Sequence, residues 1–402
     1  MTGVLRRIPV VLVVTFLLVA LGPGMTLTAV ADHQEYGVRG VWLWGSTVRD
    51  MGAEAIAKDL EANHVNVVFL LVRGTAGTAG YKSRLAPPAD PNNPDRDVLA
   101  EMIAACHPRG IEVHAWFVFN NDKAFADAHP EERLWHRGKP NRGDTPYEIT
   151  DGRVCPDSQA HLEYTNAMIR EVLENYDVDG IHLDYIRYGH VVFCFCPHHY
   201  EKAESLGIDI ERVREAIGKT FYDGPWGKAD PQYVFNAYED EGLPEHRDVK
   251  AWIDMRADEV RAAIESMRSV VKQLKPNVAF SASLMPEGAL ADSKTFALCH
   301  YAQRYSDAEL YDFICPMAYH ADYGKTPAWV GTVTQGAIAE SNGKPRVCAG
   351  IQAYGKVTPQ DLADAVKAAR AGGADGFVLF RYGEVSVEEW SAINKALGEI
   401  GP

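Results

Sequence analysis

Cysteine is scarce in this chain: 402 residues contain only seven, and that number is odd. Domains that depend on disulfides for stability have a much higher cysteine density, so a disulfide scaffold is excluded. Cys315 and Cys348 lie in strongly apolar runs, which predicts that they are buried as small hydrophobic residues. Cys155, Cys194 and Cys196 lie in irregular segments, where an oxidising compartment would permit disulfides. The sequence leaves their pairing open.

The chain also lacks an excess of positive charge and a long apolar run outside its N-terminal region. Its 40 Lys and Arg against 55 Asp and Glu give a net charge of −15, which disfavours nucleic acid and anionic membranes as partners. The apolar run Ile8–Leu21 follows Arg6 and Arg7 and precedes Ala29-Val30-Ala31, a pattern typical of secretory signal peptides. We expect residues 1–31 to be a signal peptide and the mature chain to be secreted or periplasmic. We expect no integral membrane span.

No Gly-rich phosphate loop follows the first apolar run, which disfavours a doubly wound nucleotide-binding sheet. Eight β-rich runs recur instead, several of them apolar on both faces as in a parallel sheet. They are Arg39–Trp44, Val65–Val72, Glu112–Asn120, Gly180–Tyr185, Val278–Met285, Phe313–Tyr319, Arg346–Tyr354 and Gly376–Tyr382. The helical patterns that separate and follow them are Ala53–Asn63, Asp97–His107, His161–Asn175, Val249–Gln273, Ser293–Tyr305, Ala328–Ala339, Pro359–Ala371 and Val387–Leu397. A strand followed by a helix, repeated eight times, predicts an α/β fold with a single (β/α)8 TIM barrel over residues 32–402.

The connections between these elements differ at the two ends of the predicted barrel. Helix-to-strand turns are short, and Gly110, Gly180 and Gly376 each stand just before a strand, which is typical of helix C-caps. The long strand-to-helix loops are Arg73–Arg96, Asn121–Gln159 and Ile186–Asp248. Long loops at one end of a barrel usually build a binding cleft. The loop after the fourth strand predicts an inserted lid over about residues 189–248, with a short helix near Ile210–Thr220.

Carboxyl groups follow two neighbouring strands at the end where barrel enzymes place their active sites. Asp184 ends the fourth strand, and Glu287 follows the fifth. Glycosidic bond cleavage needs two such groups, one to protonate the leaving oxygen and one to attack the anomeric carbon or activate water. Asp184 and Glu287 are therefore the candidate catalytic pair, and Asp322 after the sixth strand is a spare acid. The structural alternatives are that Asp184 pairs with Arg187 and that Glu287 lies in an exposed loop.

Aromatic and polar side chains at the same strand ends suit a sugar, because sugars present polar rims and apolar C–H faces. The candidate substrate-binding residues are Trp44, Arg73, His114, Trp116, Asn120, His182, Tyr185, Arg187, Tyr319, Asp322 and Arg381. Several have structural alternatives: Trp44 and Trp116 would pack the barrel interior, and His182 would only orient the neighbouring carboxylate. For Arg73 and Arg381, the structural alternative is that they form buried ion pairs at the barrel mouth.

The segment Cys194–His199 offers four ligands that zinc accepts, namely Cys194, Cys196, His198 and His199. Their spacing matches no common zinc pattern, so the favoured interpretation is a disulfide or a packing role in the lid. We expect no cofactor and no metal.

Two motifs carry a family resemblance. The opening Val38–Trp44 resembles the "RGVW" start of the glycosyl-hydrolase-like 10 family of bacterial secreted proteins, and Tyr176–Tyr185 resembles that family's "Y-DVDGIH-D-Y" centre. Shorter similar segments are His114–Trp116, Cys155–Asp157 and Ile314–Tyr319. The resemblance implies a (β/α)8 glycosidase that acts on a polysaccharide or a cell-wall glycan.

A more distant similarity to the α-amylase-like clan implies a retaining mechanism. That clan places a nucleophilic Asp on strand four and an acid/base Glu on strand five, which Asp184 and Glu287 match by position. The clan has Arg two residues before its nucleophile, whereas this chain has His182. The departure leaves the roles of the two carboxyl groups open.

Two other functions fit the same barrel. One is a metal-dependent hydrolase, such as a deacetylase, with His114, His182, Asp184 and His320 as ligands. The other is a barrel that binds carbohydrate without catalysis, which the separation of the two carboxyl groups would reveal. The sequence indicates neither the sugar and its linkage nor the oligomeric state.

Overall fold

The computed structural model describes residues 37–139, 142–221 and 232–400, so the expected signal peptide lies outside the described residues. Eight parallel strands form a closed barrel in which each strand pairs with the next along the chain and the eighth pairs with the first. They are β1 Val38–Trp44, β2 Val67–Arg73, β3 Glu112–Val118, β4 Gly180–Asp184, β5 Ala279–Leu284, β6 Phe313–Ala318, β7 Arg346–Gln352 and β8 Gly376–Phe380. The prediction of a single (β/α)8 barrel is confirmed.

Helices surround the strands. They are α1 Gly45–Met51, α2 Ala53–Ala62, α3 Val98–Cys106, α4 Lys123–Ala128, α5 Gln159–Asn175, α6 Pro197–Ser205, α7 Ile210–Phe221, α8 Gln232–Glu239, α9 Pro244–Leu274, α10 Lys294–Tyr301, α11 Ala328–Glu340, α12 Pro359–Ala371 and α13 Val387–Ile400. All the predicted helices are present, and α1, α4, α6 and α8 are additional. No helix of the described ranges combines the length and apolarity that a bilayer span needs.

Side chains alternate along the strands between two apolar layers. In β1, Trp42 belongs to the cluster inside the barrel, whereas Val41 and Leu43 belong to the layer between strands and helices. The period of two residues along a strand produces this division. Cys315 and Cys348 lie in the inner cluster, as predicted for buried apolar thiols.

The three glycines at the starts of strands are there for two different physical reasons. Gly110 adopts φ +68° and ends the short 3-10 helix His107–Arg109, so the C-cap prediction is correct there. Gly180 and Gly376 are the first residues of β4 and β8, and the C-cap prediction is wrong for them. A Cβ atom on Gly180 would lie 2.1 Å from His114 Nδ1, so glycine is required there by close packing in the barrel.

The long insertion after β4 contains α6, α7 and α8. Both α7 and α8 pack against α9, the long helix that leads to β5. The loop after β3 contains a small antiparallel ribbon of Trp135–His136 and Tyr147–Glu148. The described parts of the insertion are therefore largely helical, and its action as a lid remains a prediction.

Candidate active site

A cleft of about 330 Å³ lies at the C-terminal ends of the barrel strands. It is lined by Trp42, Trp44, Leu71, Gly74, Thr75, Trp116, Val118, Asp184, Tyr185, Arg187, Ser283, Met317, Tyr319 and Phe380. Six of these were predicted from the sequence: Trp44, Trp116, Asp184, Tyr185, Arg187 and Tyr319. Trp42 was missed, although it lies two residues before Trp44 and so shares its face of β1.

Asp184 is the carboxylate of this cleft. It ends β4 opposite Val118 of β3, and its side chain is only 8% exposed. Its Oδ1 accepts a hydrogen bond from Tyr185 N at 2.7 Å, and Arg187 Nη1 lies 3.4 Å from the same atom. Burial raises the pKa of Asp184, and the Arg187 charge offsets part of that rise. A carboxyl group with a raised pKa is suited to donate a proton.

Trp116 forms a wall of the cleft beside Asp184. Its ring is buried, and its indole Nε1 has no hydrogen-bond acceptor within bonding distance among the described residues. The indole N–H is nevertheless close enough to Asp184 to lower the pKa of that carboxyl group. Asp184 is thus the nearest acceptor for this N–H, and a polar ligand beside Asp184 would also lie beside the indole donor.

The residue after Asp184 has a strained backbone. Tyr185 adopts φ +54°, a left-handed conformation that costs energy for a residue with a large side chain. The ring is 40% exposed, and Arg187 Cζ lies 4.6 Å from its centroid. Strain of this kind is concentrated at functional sites, where it directs a side chain into a required position.

His182 lies beneath the floor of the cleft and does not line it. The ring is fully buried, with Nδ1 2.9 Å from Ser281 Oγ and Nε2 2.9 Å from Ser283 Oγ. Trp42 Nε1 donates to His182 Nε2 at 3.2 Å. Burial holds the pKa of His182 well below its usual range, so the ring is neutral. The structure supports a packing role beneath Trp42 and Ser283, in place of the predicted contact with substrate.

Glu287 lies in the short 3-10 helix Pro286–Ala289 after β5. Tyr323 donates its hydroxyl to Glu287 Oε1 at 2.8 Å, and Oε2 is buried without a hydrogen-bond partner among the described residues. Burial raises the pKa of Tyr301 to about 12, and the Glu287 charge adds to that rise. Glu287 is thus half-buried, bonded to Tyr323, and absent from the lining of the cleft that contains Asp184.

A second cleft, of about 290 Å³, adjoins the first and shares Tyr185 and Arg187 with it. Its lining includes Asn120 and Tyr301 together with Arg153, which the sequence did not indicate. Asn120 Nδ2 donates to the backbone oxygen of Arg187 at 2.8 Å, so this predicted side chain holds the backbone of the arginine in place. Tyr301 thus lines the second cleft and also lies near enough to Glu287 to feel its charge.

Asp322 is held by two neighbours at the end of β7. Gln352 Nε2 donates to Oδ1 at 2.9 Å, and the Tyr354 hydroxyl donates to Oδ2. With both carboxylate oxygens engaged, Asp322 is better suited to positioning this loop than to serving as a spare acid.

Arg73 and His114 lie away from the cleft, contrary to their predicted contact with substrate. Arg73 is fully buried, forms an ion pair with Asp122 and donates to Val118 O at 2.8 Å. This is the buried ion pair that the sequence offered as the alternative. His114 Nε2 lies 3.1 Å from Glu112 Oε2 at the opposite end of the barrel.

Trp44 and Arg381 form a stacked pair at the rim. Arg381 Cζ lies 3.6 Å from the centroid of a Trp44 ring that is 37% exposed. Arg381 Nη2 also donates to Glu384 Oε1 at 2.6 Å. The pair presents an apolar face with a charged edge, a surface that a sugar ring can cover.

The ligands proposed for a metal-dependent hydrolase do not come together. Within residues 37–139, 142–221 and 232–400, the one group of metal-type ligands is Cys155, Cys194, Cys196 and His199. His114, His182, Asp184 and His320 form no such group. In the cysteine segment, His198 pairs with Asp157 at 2.6 Å and does not belong to this group. The structure forms no disulfide among the seven cysteines, all of which are described, and it buries all of them, which agrees with the packing role.

Comparison with known proteins gives distant similarities. Residues 52–185, from α2 through the end of β4, match the family model described as hypothetical glycosyl hydrolase 6. The chain is 24% identical over 291 residues to the glycosyl hydrolase DigH of Escherichia coli (strain K12), covering 63% of this chain and 54% of that protein. It is 26% identical over 238 residues to an S-layer-related protein of Niallia circulans, covering 53% of this chain and 14% of that protein.

Among solved structures, the glycoside hydrolase domain of PgaB (BpsB) from Bordetella bronchiseptica superposes with a TM-score of 0.66. Identity is 14%, and the superposition covers 90% of this chain and 98% of that chain, so the likeness is one of fold. The chain covers about half of DigH and a smaller share of the S-layer-related protein. These matches support a resemblance to glycosyl-hydrolase-like proteins, without specifying family 10.

Proposed function

We propose that this protein is a glycoside hydrolase, active outside the cytoplasm on a polysaccharide or a cell-wall glycan. The observation that carries the proposal is a buried carboxyl group with a raised pKa, Asp184, in a cleft walled by Trp44, Trp116 and Tyr319. The similarity to proteins named glycosyl hydrolases supports it. The finer resemblance to the glycosyl-hydrolase-like 10 family is part of the proposal and rests on the two sequence motifs described above.

The proposed reaction is a two-carboxylate, retaining hydrolysis. One carboxylate attacks the anomeric carbon while the other carboxyl group protonates the departing glycosidic oxygen. Water, deprotonated by that second group, then cleaves the glycosyl ester and regenerates both groups. The raised pKa of Asp184 favours it as proton donor, whereas the distant clan resemblance implies that it is the nucleophile. Glu287 is the proposed partner, and its Oε1 accepts the Tyr323 hydroxyl hydrogen bond.

The Glu287→Gln substitution tests that pairing. We expect kcat to fall by about 100-fold or more, because removal of a general acid or base usually costs that much. The folded structure should persist, since the amide oxygen can still accept the Tyr323 hydroxyl proton. The measurement is hydrolysis of the best glycan from a panel of polysaccharides and peptidoglycan, with circular dichroism to confirm folding. Asp322→Asn, which changes a carboxylate already bonded to Gln352 and Tyr354, is the matched control.

An aryl glycoside with a good leaving group separates the two catalytic roles. Loss of the proton donor should spare the first step on this substrate, because the leaving group needs no proton, whereas loss of the nucleophile should not. Proton NMR of the first-formed product reports the anomeric outcome. Full activity of Glu287→Gln would remove Glu287 from the pair. Glycan binding without turnover by the wild-type protein would instead favour a binding barrel.

The exposed Trp44 ring is expected to contribute to binding more than to chemistry. Trp44→Ala should raise KM about tenfold with little change in kcat, because the ring would contact ground state and transition state alike. A tenfold change corresponds to about 1.4 kcal/mol, in the range of one aromatic contact. Steady-state kinetics on the same glycan measure it, and Met51→Ala, at an exposed position outside the cleft lining, is the control. A fall in kcat at unchanged KM would contradict this role.

A further inference from the structure

Four side chains with metal-binding atoms converge beside the second cleft. They come from three segments: Cys155 from the loop between β3 and α5, Cys194 and Cys196 from the loop after β4, and His199 from α6. All four residues are buried, and their ligand atoms lie within 4.8 Å of one another. Sequence spacing alone could not reveal the group, because Cys155 is far from the other three along the chain.

The distances between these atoms approach those of a tetrahedral zinc site. Cys155 Sγ lies 3.9 Å from Cys196 Sγ and 3.6 Å from His199 Nδ1, and Cys196 Sγ lies 3.2 Å from the same nitrogen. Zinc–sulfur and zinc–nitrogen bonds of about 2.3 and 2.0 Å in a tetrahedron place ligand atoms about 3.5–3.8 Å apart. Small adjustments of the side chains would therefore accommodate one ion.

The surroundings orient these groups as the outer shell of a metal site does. His199 directs Nδ1 toward the sulfurs, and its Nε2 lies 2.9 Å from the Tyr188 hydroxyl and 3.3 Å from Glu259 Oε2. Lys202 Nζ lies 2.8 Å from Glu259 Oε1. Carboxylates that accept the second N–H of a ligating histidine are typical of zinc sites. In addition, Trp135 N donates to Cys194 Sγ at 3.2 Å, which would stabilise a thiolate.

We propose that Cys155, Cys194, Cys196 and His199 bind one Zn²⁺ ion as a closed structural site. Three thiolates and an imidazole fill all four positions of a tetrahedron, which leaves no open position for catalysis. The ion would join the loop after β3 to the loop after β4. Both loops border the second cleft, which Val154 and Pro156 line on either side of Cys155. The proposal is independent of the glycosidase activity proposed above.

A disulfide is the competing use of these cysteines. Sulfur atoms in a disulfide are about 2.05 Å apart, and Cys155 Sγ and Cys196 Sγ are 3.9 Å apart. One disulfide would also leave the third thiol and the His199 ring without a common partner. The Zn²⁺ site uses all four side chains, which is the reason to favour it.

The test is the metal and thiol content of the purified full-length protein, expressed with Zn²⁺ and dialysed without chelator. We expect about one zinc per chain by inductively coupled plasma mass spectrometry, and seven free thiols after denaturation without reductant. Cys155→Ala and Cys196→Ala should lower zinc to less than a tenth of an equivalent. Cys299→Ala, at a buried thiol outside the group, should leave it unchanged.

If the variants do not fold, metal binding by the wild-type protein alone tests the proposal. Metal-free protein titrated with Co²⁺ should develop the absorption bands of tetrahedral cobalt bound to thiolate, and Zn²⁺ should abolish them. No uptake of Zn²⁺ or Co²⁺ by the reduced protein would overturn the proposal. A disulfide that joins Cys155 to Cys194 or Cys196 in the freshly purified protein, seen by peptide mass spectrometry, would also overturn it.

Discussion

Asp184→Asn is expected to lower kcat/KM for the cleaved glycan by roughly 10³-fold, the middle of the range for loss of a catalytic acid or base. Asp184 is the one carboxylate among the residues that line the two described clefts at the barrel mouth. The asparagine is nearly isosteric, and its oxygen can still accept the Tyr185 amide hydrogen. The loss should therefore appear in the chemical step, measured by single-turnover hydrolysis, with little change in glycan affinity.

The same variant has a predicted signature in stability. Burial raises the pKa of Asp184, so ionisation of this group costs more in the folded protein than in the unfolded chain. The wild type loses stability relative to the variant as pH rises through that raised pKa, whereas below the ordinary pKa the carboxyl group is protonated in both states. We expect Asp184→Asn to have a higher Tm than wild type at pH 8, and a smaller difference at pH 4.

Asp322→Asn serves as the control for both measurements, because that carboxylate is exposed and held by its neighbours. It should retain most of the activity and show no gain in Tm over wild type. If Asp184→Asn hydrolyses the glycan at the wild-type rate, the catalytic assignment and the proposed mechanism are wrong. If activity is lost together with the fold, the Tm measurement will show it.

Asp122→Asn is expected to destabilise the fold by about 3–5 kcal/mol, the usual cost of removing one partner from a buried ion pair. The side chains of Arg73 and Asp122 are both fully buried. Asp122 Oδ1 also accepts the Phe125 amide hydrogen at 3.1 Å at the start of α4. An asparagine can preserve that helix cap, so the substitution isolates the loss of the charge that faces Arg73.

Urea unfolding measures this cost, and a surface pair provides the control. Arg153 and Asp151 form an ion pair in which the aspartate side chain is 56% exposed. Asp151→Asn should therefore cost less than about 1 kcal/mol. Adding Arg73→Met to Asp122→Asn should recover much of the lost stability, because no buried charge is then left without a partner. A cost below about 1 kcal/mol for Asp122→Asn alone would show that Arg73 is not confined as the structure indicates.

The barrel could be predicted because its signals are local. The signals are strand-forming runs with apolar residues on both faces, short turns, and helical patterns between the strands. Each of them lies within a short stretch of consecutive residues. The order of strand and helix then determined that Asp184 lies at the end of β4, at the barrel mouth. In the same way, the alternation along β1 would have identified Trp42 as well as Trp44.

The sequence-based predictions that were wrong concern which side chains contact each other in the folded protein. Arg73 was expected at the substrate, and its partner Asp122 lies on a different segment that only the fold brings close. His182 was expected in the cleft, but its ring is fully buried below the cleft lining, where two serines of β5 bind it.

By itself, then, the sequence determined the architecture, the end of the barrel that carries the site, and the first candidate carboxyl group. Tertiary structure alone decided that Glu287 bonds to Tyr323 outside the lining of the Asp184 cleft, and that Cys155 joins Cys194, Cys196 and His199. The physical reason is that strand and helix patterns depend on neighbours along the chain. The environment of a carboxyl group or a thiol depends instead on loops that meet only after the barrel has closed.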